Sequence, residues 1–116
     1  MENKGNNGTK INGYQPNRTH KMYTGSLIPC QTLQVTTISL TGNATITLRN
    51  PGDTSIYMAW LAAAANDNPP GSAIDVYPGD THVIELSQTG SFENKFLLIH
   101  NTSAVKEGVY EIEVVG

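Results

Sequence analysis

The 116-residue sequence predicts an all-β protein: a single β-sandwich or jelly roll of seven to eight antiparallel strands with an extended N-terminal arm. Three observations favour this fold. Runs rich in Thr, Val, Ile and aromatic residues, which suit a half-buried pleated sheet, recur roughly every ten residues. Clusters of Asn, Pro, Gly and Asp, which suit tight turns, separate these runs. No run shows the apolar period of about 3.6 residues that is typical of an amphipathic helix.

Residues 1–26 are predicted to form the arm, and residues 27–116 the sandwich domain. Asn and Gly dominate the arm, which has no regular apolar pattern and buries too little apolar surface to fold alone. The arm has four cations and one carboxylate (net +3), whereas the remainder has three cations and nine carboxylates (net −6). Opposite charge therefore favours docking of the arm on a neighbouring copy. The predicted partner-binding residues of the arm are its cations, its isolated apolar residues and a histidine: Lys4, Lys10, Ile11, Tyr14, Arg18, His20, Lys21, Met22 and Tyr23.

The first strands occupy residues 33–61, where three apolar runs are separated by two Gly-containing turn sequences. This arrangement predicts two antiparallel hairpins in series. In the first run the apolar alternation changes parity across Thr36 and Thr37, which indicates a β-bulge. The third run, residues 55–61, is apolar on both faces. It is therefore predicted to be a central strand covered on both sides, or part of an interface.

The second half of the sandwich begins after four alanines, residues 62–65, which leave a helical turn and a strand extension open as alternatives. Pro69 and Pro70 stop either structure and predict a loop. The remaining strands are predicted between Gly-containing polar segments, at residues 73–77, 81–88, 95–101 and 109–115.

The residue types that carry catalysis or bind metals form no recognisable motif. The one cysteine, Cys30, excludes an internal disulfide and a multi-cysteine metal site, and it is predicted to be an inert buried thiol. The Gly-x-Ser-x-Gly motif of a catalytic serine and the Gly-rich phosphate-binding loops are absent from the sequence. His82 and His100 leave a zinc site as an alternative. We therefore predict that the protein is not an enzyme and uses no cofactor.

Membranes and nucleic acid are not predicted as partners. The first residues have no apolar stretch of the kind a secretory signal contains, which predicts synthesis in the cytoplasm. The longest apolar run, residues 56–65, is ten residues long, too short to span a bilayer as a helix. The cations of the arm are not accompanied by an aromatic platform or an Arg-Gly repeat, which argues against nucleic acid.

The order of strands and turns resembles the small β-sandwich proteins of tailed and related bacteriophage virions. The resemblance lies in a strand pair, a Pro-Gly-Asp turn and a terminal strand ending in Val-Val, as in residues 45–60 (TITLRNPGDTSIYMAW), 73–86 (AIDVYPGDTHVIEL), 95–101 (KFLLIHN) and 109–115 (VYEIEVV). It implies a non-enzymatic virion structural protein: a capsid decoration, cementing, or fibre or spike-base component. The implied location is the virion, and the implied partners are copies of the chain itself and other capsid proteins.

A second hypothesis comes from the aromatic residues of the third run. Tyr57 and Trp60 suggest a sugar-stacking platform, and so a carbohydrate-binding or adhesin module. Trp60 shares its strand face with Met58, however, which favours a core or subunit-contact role for the indole.

Overall fold

The structure, a computed structural model, is an eight-stranded β-sandwich and confirms the predicted fold class. It describes residues 20–39, 43–64, 67–87 and 94–116, and within these ranges the chain forms no helix. The strands are β1 His20–Leu27, β2 Thr32–Ser39, β3 Asn43–Arg49, β4 Tyr57–Ala62, β5 Ile74–Val76, β6 Thr81–Ser87, β7 Asn94–Asn101 and β8 Gly108–Val115.

The strands form two four-stranded antiparallel sheets. The first sheet has the order β1-β8-β3-β6, and the second sheet has the order β2-β7-β4-β5. Because β2, β3 and β4 alternate between the sheets, the predicted pair of serial hairpins over residues 33–61 is wrong. Turn residues specify where the chain reverses, whereas the choice of sheet depends on pairing with distant strands such as β7 and β8.

The core lies between the sheets and is built from alternate residues of each strand. In β3, for example, Ala44, Ile46 and Leu48 are buried, and Thr45 and Thr47 are only partly so. The predicted bulge is present in β2, where the register with β7 shifts between Gln34 and Thr36. The shift re-aims the strand so that Ile38, which follows the bulge, also reaches the core. The buried core residues are Leu27, Ile38, Ala44, Ile46, Leu48, Tyr57, Ala59, Val76, Leu97, Ile99 and Ile112.

The boundary between arm and sandwich differs from the prediction. Residues 20–26, which were expected in the arm, belong to β1, and β1 pairs with β8 along its whole length. An edge strand needs few apolar residues, because backbone hydrogen bonds to one neighbour hold it in place. Gly25 allows the close approach of Tyr110, since a Cβ at this position would lie 2.7 Å from the tyrosine Oη. The rest of the predicted arm, residues 1–19, lies outside the described residues.

Asn101 fixes one end of the sandwich from within. Its side chain is fully buried, and its Nδ2 lies 3.2, 3.1 and 2.8 Å from the carbonyl oxygens of Leu27, Ile28 and Lys106. Its Oδ1 accepts hydrogen bonds from the Ser55 hydroxyl at 3.2 Å and from the Ser103 backbone N–H at 3.0 Å. One side chain thereby joins the end of β1 to the loops before β4 and β8.

Candidate interaction surfaces

The end of the predicted arm is part of the first sheet, and its four predicted partner-binding residues differ in what they contact. His20 and Lys21 are exposed, and His20 Nε2 lies 2.6 Å from a carboxylate oxygen of Glu113. The Tyr23 hydroxyl donates a hydrogen bond to Thr36 Oγ1 at 3.0 Å, which links β1 to β2 in the opposite sheet. Met22 is 48% exposed and is the one of the four that offers a large apolar side chain to solvent.

The other predicted arm residues lie outside the part of the chain that the structure describes. They are Lys4, Lys10, Ile11, Tyr14 and Arg18.

Tyr57 is a core residue, with a relative exposure of 1%. Its hydroxyl donates a hydrogen bond to the carbonyl oxygen of Arg49 at 2.8 Å. Burial raises the pKa of Tyr57 well above the ordinary tyrosine value, and the negative charge of Glu111 adds to this rise. The side chain therefore contributes a neutral hydrogen-bonded hydroxyl to the core rather than a surface for a ligand.

Trp60 lies on the opposite face of β4, with a relative exposure of 4%. It forms a second apolar cluster with Ala62 and Leu98, against which Met58 and Phe96 pack. As predicted, β4 is a central strand, between β5 and β7, with apolar groups on both faces. Because the Tyr57 and Trp60 rings are both buried and lie on opposite faces, they do not form a common platform for a sugar.

Charged side chains form a connected group on the outer face of the first sheet. Arg49 lies between two carboxylates, with nitrogen–oxygen distances of 3.5 Å to Glu111 and 3.4 Å to Glu113, and Glu113 also contacts His20. These side chains are 25–60% exposed, so each pair stabilises the fold only weakly. The group links β1, β8 and β3 through their side chains.

The edge strands β1 and β6 of the first sheet each carry an exposed apolar residue in the same cross-strand row. Met22 pairs with Glu113, Glu113 pairs with Thr47, and Thr47 pairs with Val83. Val83 is 56% exposed. We call these four residues the edge row. Sequence reasoning missed the row, because it depends on a strand register that no local pattern specifies.

The tip of the sandwich carries the cysteine. Cys30 is exposed, which makes the prediction of a buried thiol wrong. It occupies a tight turn closed by a 3.1 Å hydrogen bond from Gln31 N–H to the Ile28 carbonyl, and its φ is +61°. The Cys30 backbone N–H donates a hydrogen bond to the Ser103 carbonyl oxygen at 3.0 Å, and its Sγ lies 3.8 Å from the same oxygen. Ile28 and Val105, exposed by 61% and 81%, lie at the same end.

The described residues contain no cluster of three or more His, Cys, Asp or Glu side chains placed to hold a metal ion. His82 lies on β6 of the first sheet, with its Nε2 3.9 Å from Asp80 Oδ2. His100 lies on β7 of the second sheet, 2.8 Å from Thr32 Oγ1. The structure thus places the two histidines of the zinc alternative in different sheets. No helix in the described part of the chain is long and apolar enough to cross a membrane.

Comparison with known proteins shows a likeness of fold. No family model matches the chain, and no curated protein matches it. Among solved structures, the chain is similar to one from the Bacillus endospore appendages, which form a novel family of disulfide-linked pili. The TM-score is 0.54, and the match covers 95% of this chain and 96% of the other. The fold resembles that of a pilus protein. At 13% sequence identity, the appendage chain shares the fold with this chain, and the likeness extends over almost the whole of both.

Proposed function

We propose that the chain is a non-enzymatic structural subunit that associates with copies of itself, head to tail, into an extracellular or virion-borne assembly. The edge row is the observation that carries this proposal. One sheet exposes an apolar side chain at each of its two edges, Met22 on β1 and Val83 on β6, at the same level of the strands.

The strand directions favour the same arrangement. Neighbouring strands of the first sheet are antiparallel, so β1 and β6 run in opposite directions. A second copy placed beside the first by translation would set its β6 antiparallel to the first copy's β1 and so continue the ladder. This contact uses a different edge of each copy, and such a heterologous contact can repeat into a ring or an open filament.

The likeness to the appendage chain supports a self-associating role, because that protein is a component of pili. Those pili are linked by disulfides, but this sequence limits how many chains disulfides could join. One cysteine per chain forms one disulfide, so Cys30 would join chains in pairs. Continuous assembly would therefore depend on contacts that are not covalent, such as those of the edge row.

The finer assignment as a capsid decoration, cementing, or fibre or spike-base component is supported by the sequence resemblance to virion β-sandwich proteins. In that case the edge-row contact would join copies within one ring or fibre, and another surface would contact the capsid protein. As an appendage subunit, the chain would associate with its own copies through the same contact, without a capsid. Electron microscopy of the purified protein, alone and mixed with virions, separates these two assignments.

The test of self-association is a matched pair of valine substitutions in the full chain, Val83→Lys and Val105→Lys. Both valines are more than half exposed, and only Val83 belongs to the edge row. We expect Val83→Lys to weaken association about 5–150-fold, because a charge is forced into an apolar contact at a cost of roughly 1–3 kcal/mol. Sedimentation velocity over a concentration series gives the constants. A wild-type chain that stays monomeric at millimolar concentration, or equal effects of the two substitutions, would contradict the proposal.

A further inference from the structure

A groove opens at the edge of the sandwich where β5 ends. β5 pairs with β4 only as far as Ala59, so the described residues place no strand beside the last part of β4, Trp60–Ala62. The loop before β5 makes a tight turn here, closed by a 3.1 Å hydrogen bond from Ala73 N–H to the Pro70 carbonyl. The groove is lined by Ala59–Leu61, Pro70, Ser72, Ile74 and Ile84, and so reaches from β4 and β5 to β6 of the opposite sheet.

The groove suits one apolar side chain on an extended segment. Its volume is about 210 Å³. This is below the range of about 300–1,000 Å³ that is usual for small-molecule sites, yet larger than a cavity of about 150 Å³ that accepts benzene. Alternate backbone groups of the unpaired end of β4 point toward the open side, where an added strand would find partners. Trp60, which lines the groove, has a buried indole N–H without an acceptor among the described residues.

We infer that this groove receives the N-terminal segment, residues 1–19, of a second copy, with Ile11 as the side chain that enters it. Residues 1–19 carry three cations and one carboxylate, and Lys10 is adjacent to Ile11. The strands that border the groove expose carboxylates, Asp75 on β5 and Glu85 on β6. The segment thus brings an apolar anchor to an apolar groove and a cation to its acidic rim.

The strand order places the groove of the next copy closer to the start of the segment than the chain's own groove. Residues 1–19 lead into His20, at the β1 edge of the first sheet, and the groove lies at the β6 edge. His20, Val115, Thr45 and Glu85 form one cross-strand row, so the chain's own groove is three strand spacings away, or roughly 14 Å. In the head-to-tail contact of the proposed function, on which this inference rests, the segment starts beside Glu85 of the next copy.

Disulfide trapping in the full chain tests the inference. All variants are made in a Cys30→Ser background. One preparation carries Ile11→Cys, and it is mixed with a second that carries Ser72→Cys at the groove. In the control mixture the second preparation carries Gln34→Cys instead, at an exposed position on β2. Mixed at about 10 µM and oxidised, the first pair should form a mixed disulfide on the order of 100-fold faster than the control pair. The factor is the ratio of a millimolar effective concentration in the docked state to the bulk concentration.

Sedimentation of the same samples separates the two proposals. Association with trapping equal to that of the control overturns the groove inference and leaves the proposed function standing. Absence of association at every concentration overturns both. A double variant, Ile11→Cys with Ser72→Cys in one chain, diluted to nanomolar concentration, should form an intramolecular disulfide no faster than the matched double variant Ile11→Cys with Gln34→Cys. A much faster reaction at Ser72 than at Gln34 would show that the segment occupies its own groove, and would overturn the choice of a second copy.

A charge-reversal cycle gives an independent readout that does not depend on cysteine chemistry. Lys10→Glu and Asp75→Lys should each weaken association about 2–5-fold, the range for an exposed ion pair, and the two together should restore it. Lys106→Glu, an exposed reversal in the loop before β8, is the control and should not be rescued by Asp75→Lys. Additive losses in the double variant would contradict a contact between residue 10 and the groove rim.

Discussion

Replacement of Asn101 by Asp is the sharpest test of how the sandwich end is held. The side chains are almost the same size, but the carboxylate has no N–H₂ group for the carbonyls of Leu27, Ile28 and Lys106, which lie 2.8–3.2 Å from Nδ2. Two hydrogen bonds at about 1 kcal/mol each are lost, and the buried Leu27 carbonyl loses this donor at a further cost of about 1–3 kcal/mol. We expect a loss of about 3–5 kcal/mol, a large share of the stability of a domain of this size.

The effect of Asn101→Asp should depend on pH in a definite direction. Burial among carbonyl oxygens would raise the pKa of the new carboxyl above its value in the unfolded chain. Below the unfolded pKa the carboxyl is neutral in both states and its hydroxyl can donate one hydrogen bond, so the loss is smallest. As pH rises through the unfolded and then the folded pKa, the penalty for the buried charge is added. The variant should therefore be closer to wild type at pH 4 than at pH 7.

Urea unfolding followed by fluorescence measures the loss, because the chain has one tryptophan and Trp60 is 4% exposed in the folded state. Asn68→Asp, the same substitution at an exposed loop position, is the control, and it should change the free energy of unfolding by less than about 0.5 kcal/mol. The reasoning is refuted if Asn101→Asp unfolds at the same urea concentration as this control at pH 7.

Two further predictions concern Tyr57 and Cys30. Because the pKa of Tyr57 is raised in the fold, the free energy of unfolding should be unchanged below the unfolded tyrosine pKa near 10 and should fall above it. In urea titrations, Tyr57→Phe should lose about 1 kcal/mol of this free energy at pH 7, because the hydrogen bond to Arg49 is removed. The free energy of the variant should then fall less steeply than that of the wild type as the pH rises above about 10. Cys30 has a φ of +61°, a backbone conformation that costs glycine little and β-branched residues most. In thermal unfolding, Cys30→Gly should therefore match or exceed wild-type stability, whereas Cys30→Val should lose about 1–2 kcal/mol. The reverse order would contradict backbone strain at this turn.

The fold class was predictable because its signals are local. Alternation in residues such as Ile46 and Leu48 reports which side chains face a core, and the parity change near Thr36 reports a bulge. The sheet to which each strand belongs was not predictable, since it depends on pairings between segments far apart in the chain. The serial-hairpin prediction failed for that reason.

The interaction surfaces were only partly accessible from the sequence. β1 was assigned to the arm because His20 to Ser26 lack apolar alternation, yet pairing with β8 holds them in the sheet. The relation between Met22 and Val83 needs the register of four strands, and the groove beside Trp60 needs the point at which β5 ends. The five short polar contacts of Asn101 could not be predicted, because nothing in the sequence distinguishes a buried asparagine from an exposed one.

The most direct measurement of head-to-tail association is oxidation of a double variant, Met22→Cys with Val83→Cys, in the Cys30→Ser background. If β1 of each copy lies against β6 of the next, every chain can bond to two neighbours, and denaturing electrophoresis without reductant should show a ladder of dimers, trimers and larger multimers. Each single variant should give at most a dimer. A double variant that also stops at the dimer, or that stays monomeric, would contradict head-to-tail association through the edge row.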